Sequence, residues 1–322
     1  MVFFIQDAKG ERGGMSMEAT LHVLKYIGGK GRMAGVLSRL IPSTCKVYAE
    51  MYCGSAALAL NSGKFDVKIL NDFNPHIANF WKVATAPETQ GLLLERLQQT
   101  CYSWSLFQAA KERHEAYGAK QSDPIQWAAD TYIIINQSFN ADGRAWVYND
   151  GTAYTKKMTG PLGLPLTFKS MSGQPFKVFN TDAVTCMKEN QLLESPEVFI
   201  YLDPPYLEGL RCDGRLYQVD MPDVRDHITL LKAIQQAKAK IVLSGYWSGR
   251  DDGSDLYDWY LIPHGWHRHL LGEYVKGCDV SEGKSKGVEW IWCNYDLEKE
   301  APGAIGFLES YCDDKKILAF QR

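Results

Sequence analysis

Short apolar runs alternate with amphipathic stretches along most of this chain. Residues 46–50, 68–71, 176–179, 198–202 and 240–244 each hold four or five residues rich in β-branched and aromatic types, and read as strands. Residues 288–295 read as a final strand. Helical spacing marks residues 33–40, 56–60, 77–83 and 224–237. Strands and helices in alternation predict an α/β fold on a largely parallel sheet. The character changes at Pro87. Residues 92–97, 106–114 and 125–135 predict helices, and residues 141–175 are polar and turn-rich, with Gly143, Gly151, Gly160, Gly163 and Gly173. Residues 87–175 therefore read as an insertion into one sheet-based domain made of residues 19–86 and 176–322. Residues 1–18 read as a loose extension, with Met15 and Met17 as alternative starts.

The most informative chemistry follows the fully apolar run at 198–202. Asp203, Pro204, Pro205 and Tyr206 leave its carboxyl end, where open α/β sheets place ligands. The two prolines fix φ and remove two donors, so the turn is stiff and rich in acceptors. Acceptors beside a flat ring suit an exocyclic amine on a planar base. The alternative is a strand-ending turn with a capping Asp. Residues 48–57 run from a strand through Gly54 and Ser55 into a helix, a small-residue turn that lets a ligand approach the backbone. The next strand ends at Asp72, one strand-helix-strand unit further on. A carboxylate there suits paired ribose hydroxyls, or else caps a helix. Gly28, Gly29 and Lys30 form a loop that lacks the Walker A spacing, and alone it reads as a solvated turn. Asp182 is either a helix cap or a second cofactor contact. Tyr246 and Trp247 either wall a base pocket or pack in the core.

Composition narrows this picture. A length of 322 residues allows one large or two modest domains, and 45% hydrophobic residues supply a core. The net charge of -3 excludes a polycation, so any nucleic-acid contact needs a local basic face. No apolar run reaches the length of a membrane span, and the first residues lack a signal-peptide layout. The 8 cysteines include no Cys-x-x-Cys pair, which argues against zinc and for a reduced cytoplasmic chain. No metal is expected.

In their order, residues 26–30, 49–57, 70–72 and 203–206 resemble the Dam-like adenine-N6 DNA methyltransferases. Residues 136–144 look like that family's Phe-Asn-Gly segment followed by an Arg, and residues 281–295 like its closing Glu-containing strand ending Asn-Tyr. The resemblance covers roughly residues 22–296. It implies a Rossmann-like methyltransferase sheet, mostly parallel with an antiparallel final hairpin strand. A mainly helical and hairpin DNA-recognition insertion interrupts it. It implies S-adenosylmethionine as cofactor, S-adenosylhomocysteine as product and double-stranded DNA as partner. The target would be a flipped-out adenine, methylated on N6. The implied catalytic residues are Asp203, Pro204, Pro205 and Tyr206. Tyr26, Lys30, Gly54, Ser55, Asp72 and Asp182 would hold the cofactor, and Asn140, Arg144, Lys156, Lys157, Lys284 and Lys286 would contact DNA. Arg144 suits either a guanine edge or a phosphate. A cognate restriction endonuclease and a nucleoid-associated place in the cytoplasm fit the family.

Two departures stand out. Tyr26 stands where many members carry Trp, and Ala141-Asp142 separate Asn140 from Gly143. No target sequence transfers, GATC included. Cytosine-C5 chemistry is set aside because the chain has no Pro-Cys dipeptide to supply the nucleophile. Cytosine N4 or RNA remains an alternative substrate for the same amine chemistry. A catalytically silent DNA-binding module on this fold is the alternative of another class.

Overall fold

The computed structural model describes residues 21–26, 28–117, 123–148, 150–159, 163–205, 223–247, 255–275 and 286–311. Seven strands form one sheet: β1 Val47–Glu50, β2 Val67–Asn71, β3 Phe176–Phe179, β4 Val198–Leu202, β5 Lys240–Tyr246, β6 His267–Val275 and β7 Lys286–Cys293. Their order is β3-β2-β1-β4-β5-β7-β6. The first five run parallel, and β7 is antiparallel to both β5 and β6. The order reverses between β1 and β4, which opens a crevice at the carboxyl ends of those two strands. β4 is buried at all five positions, as expected for a central strand covered on both faces.

The helices are α1 Ala34–Leu37, α2 Ala57–Asn61, α3 Pro75–Thr85, α4 Pro87–Gln98, α5 Trp104–Ala116, α6 Pro124–Gln137, α7 Thr152–Thr159, α8 Leu164–Met171, α9 Ala183–Glu189, α10 Val224–Ile234, α11 Leu256–Leu261 and α12 Leu297–Glu300. Several begin where capping chemistry dictates. Asn74 and Asp123 each accept the N–H two residues on, and Pro75 and Pro124 open the first turns. That signal starts α3 two residues before the apolar spacing does. Residues 33–40, expected as one helix, split into the short α1 flanked by 3-10 turns at Lys30–Arg32 and Ser38–Leu40.

Two larger differences lie elsewhere. The stretch 141–175, read as turns, contains α7 and α8. Leu164, Phe168 and Met171 sit three and four residues apart and are buried, so a helical stripe lies hidden between glycines. The expected hairpin there reduces, among the described residues, to one antiparallel bridge between Ser138 and Trp146. The strand β6 was not read from residues 267–275, because its start is polar and its register shifts between Leu270 and Gly272.

Residues 87–175 share the core of the sheet. Leu93 and Leu97 of α4, Tyr132 of α6, Tyr154 and Met158 of α7 and Phe168 of α8 belong to one cluster with Tyr48, Phe199, Tyr201 and Ile291 of the strands. A small separate cluster holds Phe107, Ala110, Ile133 and Ile134 between α5 and α6. The opposite face of the sheet packs on α9, α10 and α11. Among the described residues no helix is long and apolar enough to cross a membrane.

The loop after α6 is strained. Asn140 (φ 48°) and Ala141 (φ 61°) are consecutive non-glycine residues in the left-handed region. That conformation costs a β-carbon roughly 1–2 kcal/mol, more for Ala than for Asn. Ala141→Gly relieves it and gives back part of the gain as chain entropy, so about 1 kcal/mol of stabilisation is expected. Thermal melting should rise by about 2 °C; an unchanged or lower midpoint counts against the strain.

Candidate active site

Asp203 follows the buried β4 into the crevice. Its two carboxylate oxygens each lie 2.8 Å from the Lys30 ammonium. Lys30 also donates to the Gly28 carbonyl at 3.2 Å and pairs with Glu289 Oε1 at 2.9 Å. The Lys30 side chain is 7% exposed, Asp203 18% and Glu289 4%. Burial works against the ammonium's charge, yet Asp203 and Glu289 outweigh it and hold the Lys30 pKa well above its ordinary value. Glu289 reaches the cluster because β7 pairs it with Tyr246 at the end of β5. Beneath Asp203, the Tyr201 and Ser244 hydroxyls bond at 2.8 Å and tie β4 to β5.

The turn after β1 forms the adjoining wall. Gly54 has φ +43°, and a β-carbon there would stand 2.7 Å from Cδ1 of Tyr26. The Tyr26 ring therefore packs directly on the turn, and only glycine fits. Trp81 Nε1 donates to the Gly54 carbonyl at 2.8 Å and fixes the turn from the other side. Asp72, at the tip of β2, accepts from Gly54 N at 2.8 Å through one oxygen and from Asn74 N at 2.9 Å through the other. Burial pushes its pKa up from 3.8 to about 6, although both backbone donors favour the anion. Cys53 Sγ also donates to the Gly54-bonded oxygen at 3.9 Å, so the oxygen bonded to Asn74 N is the one with a lone pair left for a ligand hydroxyl. Asp72 itself caps no helix: Asn74 takes that place on α3, and Asp72 braces the Gly54 turn and the residue before the helix. Asp182 does cap a helix, accepting from Thr185 N at the start of α9, and it also lines the cavity.

These elements enclose a cavity of about 290 Å³. Tyr26, Lys30, Gly54, Ser55, Asp72, Asp182, Asp203 and Pro205 all line it. Pro204 is buried beside it, and Tyr206 lies outside the described residues. Glu50, Phe73, Asp226 and Thr229 also line it, and the sequence reading had not marked them. The signal for Glu50 was a carboxylate at the end of an apolar strand. It is 4% exposed, and one of its oxygens accepts from Tyr48 Oη at 2.7 Å and from Ala59 N at 3.1 Å. Five described carboxylates line the cavity, against the single described cation Lys30.

Among the described residues, those expected to touch DNA do not line the cavity. Asn140, Arg144 and Lys156 are exposed. Lys157 is the correction among them. Its ammonium turns inward to the Val23 carbonyl at 2.5 Å and to Asn136 Oδ1 at 2.9 Å, because Tyr154 and Met158 bury that side of α7. Burial lowers its pKa to about 7, with Lys25 adding to the effect. Lys284 and the loops at 207–215 and 276–285 lie outside the described residues; Lys286 opens β7, and its side chain is also outside them. Trp247 is half-buried against the edge of the core: its ring meets Trp290 edge-on and carries the Arg268 guanidinium 3.9 Å above its centre.

A parallel sheet reversing between β1 and β4, an antiparallel β7 beside β5, and a cavity at the reversal define a Rossmann-like methyltransferase fold. The family model of the D12 class N6 adenine-specific DNA methyltransferases matches residues 26–262, and the chain belongs to that family. No curated protein sequence matches the chain.

Glu50 gives this site a pH signature. Burial raises its pKa from 4.5 to about 8, against the pull of its two hydrogen-bond donors. The folded state keeps a proton that the unfolded state releases, so this contribution to stability falls as pH rises from about 4.5 to about 8. Gln at this position accepts the same two hydrogen bonds without titrating. Glu50→Gln is expected to match the unaltered protein near the acid end of that window and to melt progressively higher towards its alkaline end. A pH-independent difference in melting temperature removes the assignment.

Proposed function

We propose that this protein transfers a methyl group from S-adenosylmethionine to N6 of an adenine rotated out of duplex DNA. One observation carries the reading: a single cavity joins Asp203 and Pro205 to the Gly54 turn and Asp72. The amine acceptor and the ribose-type carboxylate thus open on one space. The acidic lining supports a cationic ligand over an anionic one. It also favours a sulfonium over the neutral thioether left after transfer, which helps product depart.

When bound, S-adenosylmethionine supplies an electrophilic methyl on a good leaving group, so the hard chemistry belongs to the cofactor. In this reading Asp72 accepts the ribose hydroxyls, the Tyr26 ring packs on the adenosine, and Gly54 and Ser55 let the ligand approach the backbone. The substrate amine is the weak partner, because its lone pair is delocalised into the purine. Asp203 and the Pro204 carbonyl accept its two hydrogens, which lets the nitrogen pyramidalise and frees the lone pair. N6 gains the methyl and releases one proton through Asp203 to water. Most of the rate comes from positioning and preorganised dipoles. Tyr206 supplies the ring that stacks on the extruded base. Asn140, Arg144, Lys156, Lys284 and Lys286 contact the duplex in this reading. Residues 87–175 carry the larger part of target recognition.

Labelled methyl transfer to duplex DNA, followed by nucleoside analysis, tests this directly. Label is expected in N6-methyladenine. Label in N4-methylcytosine moves the substrate, transfer to RNA alone moves the polymer, and DNA binding without label indicates a silent module. Asp203→Ala is expected to keep cofactor affinity and lose transfer by at least about 100-fold. Comparable transfer by that variant removes the amine mechanism. Asp72 adds a pH test. If its carboxylate holds the ribose, cofactor affinity falls as pH drops through about 6 and levels off above it. A dissociation constant that stays flat from well below that value to well above it takes Asp72 out of the cofactor site.

A further inference from the structure

Asp203 has two demands on it. It must offer lone pairs to an incoming amine, and it already lies 2.8 Å through both oxygens from the Lys30 ammonium. A carboxylate has about four lone-pair directions, and the Lys30 pairing draws on both oxygens. Charge is the harder constraint. A carboxylate matched by one unshared ammonium in a buried place is a neutral pair and a weak acceptor. Lys30, however, is shared. Glu289 stands 2.9 Å from the same ammonium and is 4% exposed. Two carboxylates and one ammonium carry a formal net charge of -1.

Glu289 is not among the described residues that line the cavity. It reaches the cluster from β7, and the contact it shares with Asp203 is the Lys30 ammonium. Glu289 is a carboxyl residue in the middle of a strand, paired there with the Lys30 ammonium. Burying it raises the cost of the strand, and a hydrophobic residue would pack there as well. The ammonium also lies 3.2 Å from the Gly28 carbonyl, so described acceptors surround it in three directions and hold it in one place.

Building on the adenine-methylation reading, we propose that Glu289 is a positioning residue for the transfer step. It shares Lys30 with Asp203, fixes the orientation of the Asp203 carboxylate, and leaves that carboxylate enough negative charge to accept a hydrogen of the target amine. Glu289 touches neither the base nor the cofactor in this scheme. Its loss should slow transfer without loosening the cofactor.

The test uses the full chain, S-adenosylmethionine, and duplex DNA from cells that lack adenine methylation. Cofactor affinity is measured by calorimetry, and labelled methyl transfer is followed in a single turnover. Glu289→Gln keeps hydrogen-bonding capacity and removes the charge. It should leave the cofactor dissociation constant within about twofold while slowing transfer by roughly 10- to 100-fold, the scale of a misplaced catalytic group. Glu289→Asp restores the charge and should recover most of the rate. In a Lys30→Gln background, Glu289→Gln should add little, because the two act as one unit. A purely structural role predicts additive losses that follow the melting temperature. If Glu289→Gln does not fold, Glu289→Asp carries the test. Its shorter reach should then cost about threefold in transfer at unchanged cofactor affinity, and an unaltered rate, or a loss matched in affinity, overturns the inference.

Three results overturn the inference. They are unaltered transfer by the folded charge-free variant, a rate loss matched by lost cofactor affinity, and additivity in the Lys30→Gln background. Absence of transfer by the unaltered protein sinks the functional reading and this one with it. Transfer by both the unaltered protein and Glu289→Gln at one rate sinks this one alone.

Discussion

A buried ammonium has to be met by oxygens, and Lys30 meets its oxygens on segments far along the chain. The loop before β1, the end of β4 and the middle of β7 converge on one nitrogen. Stranding any one of these charges in a dry place costs several kcal/mol, on the order of 3–5 for a broken buried pair. The cluster therefore acts on the architecture as well as on the chemistry. It fixes the N-terminal loop across the sheet and holds the antiparallel hairpin in register beside β5. It also sets the depth at which Asp203 meets the cavity. The reversal of strand order opens the crevice, and this cluster closes one end of it.

Much of this was written locally in the chain. β4 could be read because five consecutive apolar residues have no solvent-facing alternation, and all five are buried. The chemistry at its end then followed from the turn that two prolines impose. Gly54 could be read because small residues at a strand-to-helix turn mark a close approach, and the approaching group proved to be the Tyr26 ring. Of the two carboxylates that local sequence left between helix cap and ligand contact, Asp182 became a cap that also lines the cavity, whereas two residues after Asp72 the cap fell to Asn74. A carboxylate at a helix start has oxygens enough to cap the helix and face a ligand together.

What stayed hidden depends on tertiary register. A Glu in the middle of a strand looks like its solvent face, and only the pairing of β7 with β5 turns Glu289 towards Lys30. Glu50 shares a face with Tyr48 two residues earlier, but nothing local announces that this face is dry. Lys157 was misread because charge was weighed without phase. Tyr154, Lys157 and Met158 lie three and four residues apart on one side of α7, which puts the Lys on the buried side. Glycines and prolines flanking α7 and α8 disguised both helices as loop.

The shared core of the sheet and residues 87–175 bears on how such a protein can diversify. Phe168 and Leu93 pack in one cluster with Tyr48 and Phe199, so the inserted helices cannot be lifted out as a cassette and exchanged between relatives without opening the catalytic scaffold. On the proposed reading, new sequence preferences arise by point changes on the outward surface, at exposed positions such as Asn140, Arg144 and Lys156. Modularity is confined to the skin of the insertion, and its interior evolves at the pace of the sheet beneath it.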